Sequence, residues 1–295
     1  MKILLIGERG QLASELVRTC MPLGEVVPVD YPQFDISNPA QIQETITTIR
    51  PELVINASAY TDVDKAESEP EKAMAVNTDG PGWLAKRCAQ QRIPLIHYST
   101  DFVFDGTKKT PYVESDAPHP FSVYGLSKWK GEQAVQSETN AALIFRLAWL
   151  YSMHGNNFVT KFLEWAKKQE TLRIVDDQIG NPTWARFTAE ATAAVLAQSL
   201  VSGKPLYDWF TEKNGIYHLT SGGQASRYEW ACEIWKHIRS LEQYRVKEIL
   251  PAKTSDFPTH AQRPTYSPLN CKKVESEFLC TISNWKKQLR FCLSK

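Results

Sequence analysis

The first half of the chain alternates short apolar runs with stretches of helical spacing. "KILLIG" is a strand-length run closed by a glycine. In the following "GQLASELVRTC", Leu12, Leu16 and Val17 share one helical face. "EVVPVD" predicts a second strand, ending at Asp30. "SNPAQIQETITTIR" predicts a helix with Ser37 or Asn38 as its cap and Pro39 in its first turn. "LVINAS" and "PLIHYST" predict two further strands with a long helix from near Pro70 to Gln91 between them, and "AALIFRLAWLY" reads as another strand. These runs are nearly continuous rather than alternating, as a sheet covered on both faces requires. The order predicts an α/β fold: a Rossmann-type, doubly wound parallel sheet with right-handed crossovers.

After residue 151 the pattern becomes mixed. Helical stretches ("NFVTKFLEWAKK", "RFTAEATAAVLAQSL", "RYEWACEIWKHIRSL") alternate with short strands and Pro-rich loops. The expectation is a dinucleotide-binding domain over residues 1–150, with segments of about 170–205 returning to it. Residues 151–295 then form mainly a smaller, interleaved C-terminal substrate domain.

Composition narrows the function classes. The 295 residues are 42% hydrophobic, enough for a full core, and 34 basic against 33 acidic residues leave a net charge of +1. No basic tract points to nucleic acid or to a membrane surface. "MKILLIGERG" is too short an apolar run for a signal peptide, and no stretch approaches the ~20 apolar residues of a membrane span. Cys20, Cys88, Cys232, Cys271, Cys280 and Cys292 include no C-x-x-C pair and read as reduced thiols of a cytoplasmic protein. The histidines show no H-x-x-x-H spacing, so no metal site is expected.

Candidate chemistry sits at the strand ends. Gly7-x-x-Gly10-x-x-Ala13 follows the first strand and opens a helix. Glycines allow a tight turn and close approach of a pyrophosphate, and the helix N-terminus offers free N–H groups. Asp30, 20 residues after Gly10, is placed to bind ribose hydroxyls. Asp30 disfavours a 2′-phosphate while Arg9 attracts one, so both NADH and NADPH stay open. "FDIS", residues 34–37, either touches the adenine or is a plain helix cap. Thr100 ends the fourth strand, and Tyr124 and Lys128 lie four apart on one helical face. Together they make the Ser/Thr–Tyr–Lys set of the short-chain dehydrogenases/reductases. In that chemistry a tyrosine protonates the alkoxide left by hydride addition, a lysine ammonium lowers the phenol's pKa of about 10, and the Thr hydroxyl orients the carbonyl.

Longer segments carry a more specific resemblance: "GERGQLASEL", "NASAYTDVDKAESEPEKAMAVN", "STDFVFDGTKKTPYVESDAPHPFSVYGLSKWKGE", "RLAWLYS", "DQIGNPT" and "RPTYSPLN". Over nearly its whole length the chain resembles the dTDP-4-dehydrorhamnose reductases, extended members of that superfamily. The resemblance implies NAD(P)H-dependent reduction of dTDP-4-dehydro-6-deoxy-L-mannose to dTDP-L-rhamnose, in the cytoplasm, for cell-surface polysaccharide. It implies that Gly10, Gln11 and Leu12 hold the pyrophosphate, that Asp30, Asp35 and Ile36 lie on the adenosine side, and that Ala59, Tyr60 and Thr61 form the loop beside the cofactor. It places Thr100, Asp101 and Trp149 on the sugar nucleotide and makes Tyr124 and Lys128 the catalytic pair, both also on the cofactor, with Lys128 at the nicotinamide ribose.

Two positions depart from the family. Phe102 stands where a tyrosine is common after "STD", which removes one possible sugar hydrogen bond. Some members dimerise through magnesium held by carboxylates; Glu15 matches one such position, but Arg186 sits where another acid is expected. A monomer or homodimer without bridging metal is therefore expected. Two rival readings follow from the same resemblance. Sugar-nucleotide dehydratases and epimerases share the fold, but a dehydratase typically has Asp-Glu after "ST", where Phe102 cannot do acid–base work. The regulatory β-subunit of methionine adenosyltransferase resembles the same family and acts as a binding protein.

Overall fold

The structure, a computed structural model, describes residues 1–294. The apolar runs of the first half become Lys2–Ile6 (β1), Glu25–Val29 (β2), Leu53–Asn56 (β3), Leu95–Thr100 (β4) and Ala142–Leu147 (β5). Between them run Gln11–Cys20 (α1), Pro39–Ile49 (α2), Val63–Ser68 (α3), Pro70–Met74 (α4), Gly80–Gln90 (α5) and Val123–Glu138 (α6). Asn38 caps α2 by accepting from the N–H groups of Ala40 and Gln41. The second half holds Leu150–Tyr151 (β6), Phe158–Lys168 (α7), Thr171–Val175 (β7), Ile179–Gly180 (β8), Thr183–Trp184 (β9) and Ala185–Val201 (α8). Leu206–Glu212 (α9), Gly215–His218 (β10), Ala225–Ser226 (β11), Arg227–Ile238 (α10), Glu248–Ala252 (β12), Lys272–Glu277 (α11) and Trp285–Leu293 (α12) follow.

Six strands form one parallel sheet in the order β10-β5-β4-β3-β1-β2. Apolar side chains alternate between its faces. Leu5, Ile55 and Phe145 pack on one side with α1 and α8, and Leu4, Val54 and Ile144 on the other with Leu84 and Ile42. A separate core gathers Phe162, Trp230, Ile234 and Leu289 around the β7–β12 pair. Thr171–Val175 thus belongs to this second layer, whereas α8 and β10 pack with the large sheet.

The long helix expected from Pro70 to Gln91 is interrupted. Ala75–Asp79 forms a wide π-type turn between α4 and α5. The cause is a close approach from α6: a Cβ at Gly131 would lie 2.0 Å from the Asn77 carbonyl oxygen. The widened turn also frees the Asn77 side chain for bonds described below, as such bulges do at functional sites. The strand read in "AALIFRLAWLY" likewise breaks into β5 and β6, because Trp149 has a positive φ of 44°.

All six cysteines are free, and burial pushes Cys20 up to about 11 and Cys88 to about 12, which keeps both thiols protonated. Among the described residues no helix is long and apolar enough to cross a membrane.

Candidate active site

The glycine turn after β1 meets the end of β2 at the carboxyl edge of the sheet. Gly7 has φ +99°, and a Cβ there would stand 2.8 Å from the Ser58 backbone nitrogen, so only glycine fits. Gly10 caps α1 with no side-chain bond. The first N–H groups of a helix have no intrahelical acceptor, so this end is left open to an anion. Asp30 holds the turn in place: its Oδ2 accepts from the Arg9 N–H and its Oδ1 from the Tyr31 N–H, both at 2.8 Å. A cleft of about 560 Å³ opens beside it, lined by Arg9, Asp30, Phe34 and Gln41 among others. These features fit a dinucleotide: an uncapped helix start, a cradle that admits no Cβ, and a carboxylate with spare lone pairs.

Other residues of the expected cofactor set have structural duties. The side chain of Leu12 is in the core. Gln11 accepts through Oε1 from Ser152 Oγ at 3.1 Å and Asn157 Nδ2 at 2.8 Å. Asp35 Oδ1 accepts from both the N–H and the hydroxyl of Ser37, and Ile36 is buried with its carbonyl against Gly80. Gln11 and Leu12 thus offer backbone N–H groups rather than side chains. Ala59, Tyr60 and Thr61 follow β3, and Asn77 clamps this loop. Its Oδ1 accepts from the Tyr60 N–H at 2.8 Å, and its Nδ2 donates to the Tyr60 carbonyl and to Ser127 Oγ, each at 3.0 Å. Sequence reasoning gave Asn77 no role, although it lies in a quoted segment.

Gly10→Val should cover the open helix end with a branched side chain. The expected outcome is a folded protein whose NAD(P)H affinity falls about tenfold or more, read by cofactor fluorescence titration.

The catalytic candidates converge between β4 and α6. Ser122 caps α6 by accepting from the Gly125 N–H at 3.1 Å. Gly125 lets the helix press onto the segment after β4; a Cβ there would sit 2.2 Å from the Phe102 carbonyl oxygen. This contact brings Tyr124 beside Thr100. The Phe102 ring meets the Tyr124 ring edge-on at 5.6 Å, so the departure at 102 packs against the phenol. Burial pushes Tyr124 up to about 12, the Asp101 charge adds to this, and the Thr100 hydroxyl opposes it.

The sequence argument had Lys128 lowering the phenol. Here the ammonium donates to the Tyr98 carbonyl at 2.6 Å, and the phenol stays protonated at neutral pH. Burial draws Lys128 down to about 8, and Glu132 one turn along raises it. Glu132 is in turn held by Arg146 through Nε at 2.8 Å and Nη2 at 2.7 Å, with both side chains buried. Nothing in the spacing of the sequence pointed to that pair.

Asp101 is 2% exposed, which decides its partners: Thr100 Oγ1 donates to its Oδ1 at 3.2 Å and Ser267 Oγ to its Oδ2 at 2.5 Å. Burial pushes its carboxyl up to about 6. Trp149 lies two residues beyond Leu147, whose register partner is Thr100, and so faces the same sheet edge. Its ring packs on Gly180, where a Cβ would come within 2.4 Å of it. A bulky residue with positive φ is strained, and such strain concentrates at binding sites.

At the doubted metal position Arg186 Nε donates to Glu15 Oε2 at 2.8 Å, and no cluster of three metal-ligating residues occurs among the described residues. A guanidinium already on the carboxylate opposes a divalent cation there. EDTA should therefore alter neither sedimentation nor turnover; a shift in sedimentation on chelation would refute this reading.

A family profile described as RmlD substrate binding domain matches residues 1–295. The chain is 38% identical to a dTDP-4-dehydrorhamnose reductase of Burkholderia thailandensis, covering 99% of this chain and 98% of the relative. It is also 38% identical to the reductase of that name from Salmonella typhimurium, with 97% and 95% covered. Among solved structures, the dTDP-4-dehydrorhamnose reductase of Bacillus anthracis in complex with NADP superposes with a TM-score of 0.88 at 31% identity, over 99% of this chain and 98% of that one.

Proposed function

The chain belongs to the dTDP-4-dehydrorhamnose reductases, a family of NAD(P)H-dependent oxidoreductases, and on that premise we propose that it reduces the 4-keto group of dTDP-4-dehydrorhamnose to form dTDP-L-rhamnose. The observation that carries the reading is the packing of α6 on the end of β4, which sets Tyr124 beside Thr100 and the Lys128 ammonium on the Tyr98 carbonyl, at the sheet edge where open α/β sheets place their sites. A nicotinamide cofactor, when bound, supplies the hydride. Thr100 orients the ketone oxygen by a hydrogen bond. Tyr124, held protonated by burial, gives its proton to the oxygen as negative charge develops there. Lys128, anchored on the Tyr98 carbonyl, is the residue assigned to the nicotinamide ribose. For its bond to the substrate the one Thr100 hydroxyl proton turns from Asp101 Oδ1, 3.2 Å away, to the ketone oxygen, and Trp149 lines the sugar side of the site.

Residues 1–150, rejoined by α8 and β10, then serve the cofactor, and the remainder serves the dTDP-sugar. NADH and NADPH are both accommodated in this reading: Asp30 binds ribose hydroxyls and Arg9 lines the same cleft. We assign the reaction to the cytoplasm, where its six free thiols remain reduced. The test is an NAD(P)H oxidation assay with a panel of dTDP-4-keto-6-deoxysugars. Fastest turnover with dTDP-4-dehydrorhamnose supports the assignment, and indifference to it, or preference for another ketosugar, overturns it.

A further inference from the structure

We propose that Arg227, lying on the face of Trp149, is the anchor for the diphosphate of the nucleotide-sugar substrate; this rests on the reductase reading above. The guanidinium carbon lies 3.6 Å from the centre of the Trp149 ring. Among the described residues the Arg227 side chain makes no hydrogen bond and no ion pair, although it has five N–H donors. Its neighbour Arg263 is different: it is already committed to Asp64, with Nη2 2.7 Å from Oδ2 and Nη1 3.3 Å from Oδ1.

The position of Arg227 is costly for a cation with no partner. It is the first residue of α10, whose N-terminus is capped by Ser226 and Glu229. A positive charge in the first turn opposes the helix dipole. Burial and the nearby Arg263 charge both disfavour the charged guanidinium, and only the Asp101 carboxyl acts in its favour. That carboxyl is spent on Thr100 and Ser267. A bound anion is the missing partner.

The geometry selects which anion. The guanidinium rests on the Trp149 ring, and that ring packs on Gly180. A planar fork held in one orientation suits two phosphate oxygens at once. The fork stands near Asp101, which directly follows Thr100 at the end of β4. A diphosphate attached to the reacting sugar lies within a few bonds of the ketone, and so within reach of a residue placed there.

The test compares dTDP with thymidine by titration calorimetry on the full chain. Arg227→Gln should weaken dTDP binding about 10- to 100-fold, as loss of a charge-assisted contact does, while thymidine and NAD(P)H affinities stay unchanged. Unchanged dTDP affinity overturns the proposal. Equal weakening of dTDP and thymidine also overturns it, since the substitution would then act only through the Trp149 stack. If the parent chain binds no dTDP, the reductase reading fails and takes this assignment with it. Should Arg227→Gln not fold, Arg227→Lys is measured in the same way. It is expected to show a smaller loss confined to dTDP, and no loss overturns the proposal.

Discussion

Tyr124→Phe is expected to lower turnover about 10²- to 10⁴-fold, or about 3–5 kcal/mol of transition-state stabilisation. The substitution removes one hydroxyl and leaves the ring against Phe102. Cofactor affinity should change little. Lys128→Met should differ, because it removes both a buried ammonium and a hydrogen bond to the Tyr98 carbonyl. Turnover and cofactor affinity should then fall together. The double variant should be scarcely slower than either single one, since the residues act as a unit. Steady-state NAD(P)H oxidation with cofactor titration checks all three. Full activity in Tyr124→Phe would remove the proton donor from the account.

Glu132→Leu should destabilise the fold by about 3–5 kcal/mol, because it strands the Arg146 guanidinium in the interior. Arg146 is 2% exposed, and its Nη1 has no partner even with Glu132 in place. Total stability of such a domain is about 5–15 kcal/mol, so the urea midpoint should drop sharply with little change in slope. Adding Arg146→Met should recover much of the loss, as replacing both partners of a buried pair by apolar groups does. Folded Glu132→Gln should carry a second signature. Glu132 raises Lys128, so its removal lets burial lower the ammonium further. The alkaline limb of the activity profile should move to lower pH. An unchanged midpoint in Glu132→Leu would show the ion pair to be dispensable.

Local chemistry was legible in the sequence wherever a residue's neighbours in the chain determine its role. The cap at Asn38, the turn at Gly7 and Gly10, and the strand ending at Thr100 all follow from short-range pattern. Long-range contacts were not. The break at Ala75–Asp79 depends on Gly131, more than fifty residues away, pressing against the Asn77 carbonyl. Without that contact, the run from Pro70 to Gln91 reads as one helix. Lys128 was expected to face the phenol because both lie on one face of α6, yet the helix meets β4 so that the ammonium reaches the Tyr98 carbonyl. Glu132 and Arg146 pair across helix and strand, and Arg227 reaches Trp149 across two elements. No periodicity announces either meeting. The doubt raised by Arg186 was visible from residue type alone, since its partner Glu15 was named by the resemblance.

The central claim is hydride transfer to the sugar carbon, and the most direct measurement is isotopic. The chain is incubated with dTDP-4-dehydrorhamnose and NAD(P)H deuterated at nicotinamide C4, and the sugar product is examined by proton and deuterium NMR. The account predicts dTDP-L-rhamnose with deuterium at C4 of the sugar and one cofactor oxidised per product formed. Cofactor and ketosugar that bind but return unlabelled and unreduced would contradict it and leave a binding protein built on a reductase fold.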